Sequence, residues 1–254
     1  MSASHALSDS LTLTKRSLTH ILRSPDTIVT TALMPIAFLL LFVYVFGSAI
    51  DVGGAEYVDY LLPGILLITV ASGVAYTAYR LFLDMQGGLN ARFRSMPIAR
   101  SATLWAHVLT SVVANLVALT IVTGVAALMG FRTSAGPLEW LAVVGILVLF
   151  TLALTWVAVL SGLGAKSIDG ASAFSYPLIF LPFLSSAFVP THGMPGPVRW
   201  FAENQPVTPI VETLRALFGG TPVGAEIWIA LAWCAAILAA GWLAASLLSR
   251  RRFG

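Results

Sequence analysis

Charged side chains are scarce in this chain: only 10% of its 254 residues are Asp, Glu, Lys or Arg, while 58% are hydrophobic. A soluble domain carries about 25% charged residues, and the mean hydropathy here is +0.89. The shortage of charge argues against a soluble globule and predicts an integral membrane protein.

Cysteine and nucleotide-binding motifs are also lacking. Cys234 is the single cysteine, so no intrachain disulfide is possible. A phosphate-binding loop needs Gly-x-x-x-x-Gly-Lys-Ser/Thr, but the nearest string, LSGLGAKS, has Leu160 and Ala165 in place of both glycines. No nucleophile elbow, metal-ligand cluster or paired carboxylate lies within the apolar stretches. We therefore expect neither enzyme activity nor a cofactor on this chain, and no nucleic-acid partner.

Long apolar stretches are what the chain has in abundance. A helix needs about 20 residues to cross the hydrocarbon core of a bilayer, which is about 30 Å thick. The predicted fold is a single all-α transmembrane domain over residues 1–254 with six spanning helices, placed at about residues 27–49, 60–80, 103–129, 140–163, 171–190 and 226–248.

The distribution of basic residues predicts the orientation. If the N-terminus is cytoplasmic, only Arg132, Arg199 and Arg215 of the 14 Lys and Arg residues fall outside, and the remaining 11 fall inside. The positive-inside rule then places both termini in the cytoplasm.

Two segments outside the spans show a helical apolar face. In residues 7–24 the face consists of Leu7, Leu11, Leu18 and Leu22, which predicts a helix lying in the cytoplasmic interface. In residues 199–218 the face predicts an outer helix that is either interfacial or re-entrant. Its members are Val207, Ile210, Val211, Leu214 and Leu217.

Few features interrupt the predicted spans. Pro35 in the first span, and Pro177 and Pro182 in the fifth, predict kinks and a movable surface, although membrane helices often contain proline for packing alone. His107 near the start of the third span is expected to be interfacial or paired. Asn115 in the same span needs a partner on a neighbouring helix or on a polar substrate group, and we favour the helix.

The most polar segment between spans is LDMQGGLNARFRSMPIARSA, residues 83–102. Gly87 and Gly88 predict a turn, and Pro97 ends a short basic helix that contains Arg92 and Arg94. Such a helix is suited to contact a soluble partner. The alternative is a basic loop that only determines topology.

Four strings together resemble one known family: YVDYLLPGIL (57–66), LNARFRSMPIARSA (89–102), FLPFLSSAFVP (180–190) and RWFAENQPVTPIVETLRAL (199–217). In this order they are similar to the permeases of ABC-2 type transporters, in the daunorubicin-resistance branch, along essentially the whole chain.

The resemblance implies a six-helix half-transporter in the cytoplasmic (inner) membrane of a bacterium. Its partners would be a separate ABC ATPase, which binds ATP-Mg, and a second permease copy or sister permease. The N-terminal helix and a coupling element at 84–98 would dock the ATPase. The coupling residues would be Gly87, Gly88, Arg92, Arg94, Met96 and Pro97.

The expected function is export of an amphipathic drug, antibiotic or lipid-like substrate. Two alternatives from other classes are a membrane scaffold that recruits a soluble partner without transport, and an ion-coupled carrier. The lack of acidic residues within the predicted spans counts against the carrier. No substrate-binding residue is predicted.

Overall fold

A computed structural model describes residues 25–47, 49–50, 56–86 and 100–253. All regular secondary structure within these ranges is helical, which confirms the all-α prediction for the part of the chain described. The predicted interface helix at 7–24 lies outside the described residues, as do residues 87–98 of the predicted coupling element.

Nine α-helices follow one another in the described ranges. In chain order they are α1 Pro25–Leu41, α2 Tyr57–Gln86, α3 Arg100–Leu128, α4 Pro137–Gly164, α5 Ile168–Ser172, α6 Ser175–Phe180, α7 Gly196–Glu203, α8 Val207–Gly219 and α9 Glu226–Phe253. A π-helical segment, Phe42–Phe46, continues α1, and short 3₁₀ turns occupy Leu181–Leu184 and Thr191–Gly193.

Four of these helices are long and apolar enough to cross a membrane. Among the described residues they are Tyr57–Gln86, Leu104–Leu128, Pro137–Gly164 and Glu226–Ser249. They correspond to the predicted spans at about 60–80, 103–129, 140–163 and 226–248. The other two predicted spans coincide with shorter apolar helical stretches, Thr31–Phe46 and Ile168–Leu184.

Helix α2 is the centre of the molecule. Every residue from 61 to 71 is buried, so this part of the helix is covered on its whole circumference. A helix that is apolar all round is expected in a core rather than at a surface. Helix α2 contacts α1, α3, α4, α5, α6 and α8, and a displacement of α2 therefore reaches most of the described chain.

Helix α9 lies at the periphery and packs on α4. Its Gly241 approaches α4 so closely that a Cβ atom there would lie 3.2 Å from the Cβ atom of Trp156. Small residues permit this kind of close approach between membrane helices. The exposed side chains of α9 comprise several large apolar ones, as expected for a surface in contact with lipid. They include Trp228, Ile229, Trp242, Leu243 and Leu247.

The fifth apolar stretch differs from the continuous helix expected over 171–190. The structure divides it into α5, α6 and the 3₁₀ turn Leu181–Leu184. Pro177 is tolerated because it lies in the first turn of α6, where the N–H group has no helical partner. Pro182 lies further along, where it cannot donate to the carbonyl group four residues earlier. The chain there tightens into the 3₁₀ turn.

Candidate functional site

The α7–α8 pair covers the end of the bundle where α2 begins. The apolar face predicted for residues 199–218 exists in α8, since its five members are all buried. The prediction of one helix over this range is wrong, because α7 ends at Glu203 and α8 begins at Val207. Pro206 lacks an N–H group to continue α7, and the Gln205 side chain accepts a hydrogen bond from the Val207 N–H (2.9 Å) at the start of α8.

Arg215 of α8 connects three parts of the chain. Its Nε and Nη2 atoms donate to the backbone carbonyl of Tyr60 at the start of α2 (3.3 and 3.0 Å). Nη2 also donates to the carbonyl of Ser186, after the 3₁₀ turn (3.0 Å), and Nη1 donates to Glu212 (2.8 Å). We call these four residues the Arg215 cluster.

The cluster is compact and mostly shielded from solvent. The guanidinium carbon lies 3.7 Å from the centre of the Tyr60 ring, which is a cation–π arrangement. The Tyr60 hydroxyl donates to the same Ser186 carbonyl that accepts from Arg215 (2.9 Å). Because one oxygen accepts from two elements, α2, α8 and the segment after the 3₁₀ turn meet at a single point.

The chain around this point is also closely packed. A Cβ atom on Gly64 of α2 would lie 2.6 Å from the Cβ atom of Ala187, so only glycine permits this approach of the two backbones. The Tyr57 hydroxyl donates to the Phe188 carbonyl (3.2 Å). The segment 185–190 is therefore held along its length against the first turns of α2.

The connection after α3 is tied to the same end of the molecule. The Ser134 N–H and the Thr133 hydroxyl donate to the Phe218 carbonyl at the end of α8 (2.9 and 2.8 Å). Gly220 then turns the chain with a positive φ of 62°, which favours glycine. These contacts hold the C-terminal end of α8.

The α7–α8 pair contains a second ion pair, which lies at the surface of α7. Arg199 Nε donates to the Glu203 carboxylate one turn later (2.7 Å). This hydrogen bond lowers the pKa of the Glu203 carboxyl below its ordinary value. Both side chains are exposed, so the pair contributes little to stability, and it is a useful comparison for Arg215.

Aromatic rings join the first span to the fifth apolar stretch. Phe42 stacks on Phe188 with ring centres 4.8 Å apart, and Phe183 stacks on the same ring at 4.8 Å. Phe38 meets Phe183 edge to face at 5.6 Å. We call these four residues the aromatic cluster. It lies next to the π-helical segment and the 3₁₀ turn.

Asn115 packs against α2, as favoured from the sequence, but among the described residues no neighbouring helix supplies a hydrogen bond to it, and its buried Oδ1 atom has no partner there. Its Nδ2 atom donates to the Ser111 carbonyl (2.9 Å), and its amide lies directly against Gly73 of α2. The Ser111 hydroxyl accepts from Thr77 of α2 (2.9 Å) and lies 3.1 Å from the Thr155 hydroxyl of α4. A buried polar contact therefore joins three long helices.

His107 is paired, in agreement with the expectation for it. Its Nε2 atom lies 3.2 Å from a carboxylate oxygen of Asp84, and the two side chains are 13% and 43% exposed. Asp84 stands two residues before the end of α2, and His107 lies two turns into α3. The pair connects the two helices that flank residues 87–99.

The six predicted coupling residues, Gly87, Gly88, Arg92, Arg94, Met96 and Pro97, all lie outside the described residues. Their role in coupling stays a prediction. In the part of the chain that the structure describes, no group of three His, Cys, Asp or Glu side chains is placed to hold a metal ion.

Comparison with known proteins decides the family. Residues 9–218 match the ABC-2 type transporter family. This chain belongs to that family. Among curated ABC-2 relatives, the daunorubicin resistance ABC transporter permease protein DrrB1 of Streptomyces coeruleorubidus is 30% identical over 239 residues, which cover 90% of this chain and 83% of that protein.

A second relative comes from Mycobacterium tuberculosis. The probable doxorubicin resistance ABC transporter permease protein DrrC, in strains CDC 1551 / Oshkosh and ATCC 25618 / H37Rv, is 27% identical over 251 residues. The match covers 94% of this chain and 90% of DrrC. The chain is thus an integral membrane permease homologous to the permease subunits of drug-resistance ABC transporters.

The motifs of this ABC-2 permease could be identified from the sequence, but the contacts between them could not. Tyr60, Ser186 and Arg215 come from three of the four strings that carried the family resemblance. The available signal was an arginine beside the apolar face of a short helix, since such a cation needs acceptors nearby. Its acceptors are backbone carbonyls, and side-chain patterns do not reveal those.

Proposed function

We propose that this chain is the membrane-spanning subunit of an ATP-driven exporter of an amphipathic drug, antibiotic or lipid-like molecule. The observation that carries this proposal is the similarity, along 90% of the chain, to a permease named for daunorubicin resistance. An apolar surface with scattered hydroxyl and amide groups suits an amphipathic cargo better than a small ion. The membrane is the cytoplasmic membrane of a bacterium.

The proposed topology has six spans with both termini in the cytoplasm. The 17 residues of α1 and the 5 of its π-helical continuation extend about 30 Å at roughly 1.5 Å per residue, which is enough for a first span. The fifth span is the broken stretch from α5 to the segment 185–190. The imbalance of basic residues supports the orientation, and it places the α7–α8 pair outside.

The energy comes from a separate ABC ATPase that binds ATP-Mg, and the permease works with a second copy of itself or with a sister permease. The ATPase docks on the coupling element at 84–98 and on the helix at 7–24. Arg92 and Arg94 supply polar contacts, since a guanidinium can donate two parallel hydrogen bonds to a carboxylate. The Asp84–His107 contact supports this proposal, because it connects the helices that enter and leave the element.

Force on the coupling element reaches the cargo route through α2. This helix touches α1, α5 and α6, and the aromatic cluster joins α1 to the fifth stretch. Pro35 within α1 and Pro182 after α6 each remove a hydrogen bond from the helical ladder, which lets both stretches move. Their separation opens the route from the cytoplasm or inner leaflet to the outside.

A charge reversal tests the docking site. Arg92→Glu combined with Arg94→Glu should abolish recovery of the ATPase when the tagged chain is purified from native membranes in mild detergent. Like charges facing the acidic acceptors repel, which lowers the affinity by at least tenfold. Mass spectrometry identifies the copurified protein, and its ATP turnover is measured.

The matched control is Arg250→Glu combined with Arg251→Glu. It makes an equal change of charge on the same predicted side of the membrane, the cytoplasmic side, but outside the coupling element. It should retain the ATPase. Equal recovery from the parent and the Arg92/Arg94 variant would contradict the docking assignment. If an ATPase binds but its ATP turnover does not depend on the permease and the permease moves no cargo, the chain is a scaffold instead.

A further inference from the structure

We propose that Arg215 is the latch of an outer gate, a positioning residue that holds the α7–α8 pair closed over the cargo route until transport releases it. This inference deepens the proposed function, because the gate is the outer end of the same route. It concerns residues that neither the family resemblance nor the relatives assign to any role.

The first argument is where the donors of Arg215 point. They bind backbone carbonyls of two other elements, Tyr60 on α2 and Ser186 before the α7–α8 pair. A guanidinium can make several directed hydrogen bonds at once. Loss of this one side chain therefore removes the hydrogen bonds of Arg215 to both elements together, which is the behaviour expected of a latch.

The second argument is that the joined elements can move. Pro63 in the first turns of α2 removes one hydrogen bond of the helical ladder near the Tyr60 carbonyl. The segment that holds Ser186 follows the break at Pro182. The Ser186 hydroxyl itself is buried and has no hydrogen-bond partner among the described residues. A buried polar group without a partner is costly, and a movement of this segment that gave the hydroxyl a partner would recover that cost.

The third argument connects the latch to the cargo route. Phe188 lies two residues after Ser186 and stacks on Phe42 of the first span (4.8 Å). While Arg215 and Tyr60 hold the Ser186 carbonyl, Phe188 stays on Phe42 and the aromatic cluster is closed. Release of Ser186 lets the segment 185–190 withdraw, and the first span and the fifth stretch separate at their outer ends.

A labelling experiment tests the latch without requiring transport. Ser186→Cys is made in a Cys234→Ala background, and the purified protein in lipid nanodiscs, where both faces are accessible, is treated with a maleimide. The parent site is only 4% exposed, so labelling should be slow. Adding Arg215→Gln should accelerate it about tenfold, the change that follows from losing a charge-assisted hydrogen bond of roughly 1.4 kcal/mol.

Arg199→Gln is the matched control. It also removes one positive charge from the α7–α8 pair. Unlike the hydrogen bonds of Arg215, however, the bond from Arg199 to Glu203 stays within one helix, α7. Labelling of Ser186→Cys should remain at the parental rate in this variant. Equal labelling rates with Arg215 and with Arg215→Gln would overturn the latch.

A reversible cross-link distinguishes a gate that must open during transport from a contact that stays closed. The Ser186 N–H donates to the Thr208 hydroxyl of α8 (3.4 Å), so cysteines at these two positions can be bridged by oxidation or by a short bis-thiol reagent. With the ATPase bound, the bridged protein should lose daunorubicin transport in vesicles by at least tenfold, and a cleavable bridge should restore it on reduction. Parental transport by a verified bridged protein would overturn the gate.

The two measurements also separate this inference from the proposed function. If the unbridged parent with its ATPase moves no daunorubicin and no other amphipathic probe, the proposed function fails. The labelling result then decides the latch by itself, because it needs neither ATP nor cargo. Faster labelling in Arg215→Gln supports the latch in that case, and unchanged labelling rejects it.

Discussion

At the scale of single residues, Gly73 and Asn115 determine how closely α2 and α3 approach. The Asn115 amide fills the space where a side chain at position 73 would lie. Its own hydrogen bond to the Ser111 carbonyl holds it there. In a bilayer, where water is not available to satisfy the amide, such a contact positions two helices relative to each other.

Gly73→Ala should therefore destabilise the protein. The new Cβ atom would collide with Oδ1 of Asn115, and overpacking of this kind costs about 1–3 kcal/mol. Thermal unfolding of the purified permease in detergent should show a lower Tm than the parent. The double variant Gly73→Ala with Asn115→Ala should recover part of the loss, since the obstructing amide is gone.

Gly124→Ala is the control for this prediction. It lies in α3, and no atom of the described residues lies within 4 Å of its added Cβ atom. Alanine is favoured over glycine inside a helix by about 1 kcal/mol, so the Tm should be unchanged or higher. An equal loss of Tm at positions 73 and 124 would show that the contact with Asn115 is unimportant.

At the scale of helices, the Asp84–His107 contact joins the end of α2 to the start of α3. A force applied to the proposed coupling element at 84–98 should reach both helices together while this contact holds. The sequence predicts that His107 is interfacial or has a partner. Asp84 was not recognised as that partner, because 23 positions separate them and the spacing of residues carries no information about which helices are neighbours.

Asp84→Ala should reduce the cargo moved per ATP hydrolysed while the ATPase stays bound. The coupling residues remain, but α2 and α3 are no longer joined at this point. We expect a loss of about threefold to tenfold, in line with 0.5–2 kcal/mol for changes that modulate coupling between sites. Vesicle transport and ATP turnover, measured on the same preparation, give the ratio.

The exchange variant Asp84→His with His107→Asp should restore part of that ratio, because it re-forms the contact with its partners interchanged. Asp169→Ala, which removes a carboxylate from the same predicted face of the membrane, should leave the ratio unchanged. An unaltered ratio in Asp84→Ala would show that this contact plays no part in transmission.

The structure of the fifth apolar stretch could be predicted only in part from the sequence. Pro177 and Pro182 were recognised as interruptions, but a kinked continuous helix was expected. The outcome depends on the position of each proline within its own helical turn, and that position follows from where the helix begins. Helix α6 begins at Ser175 and packs against α2, and neither fact is evident from the local sequence.

At the scale of the whole molecule, the long apolar helices were predictable because hydropathy and length alone specify them. The apolar face of α8 was predictable for a similar reason, since helical periodicity specifies it. The meeting of Tyr60, Ser186 and Arg215 was not. Tyr60 and Arg215 lie 155 positions apart, and their contact is made through a backbone carbonyl that every residue possesses.

The source of energy is the central question for the molecule as a whole. Inverted membrane vesicles that contain the permease and its copurified ATPase are supplied with daunorubicin and with either ATP or a proton gradient. ATP should drive accumulation even when an ionophore has collapsed the gradient, and the Arg92→Glu/Arg94→Glu variant should accumulate none. Accumulation driven by the gradient without ATP would contradict this account and identify an ion-coupled carrier.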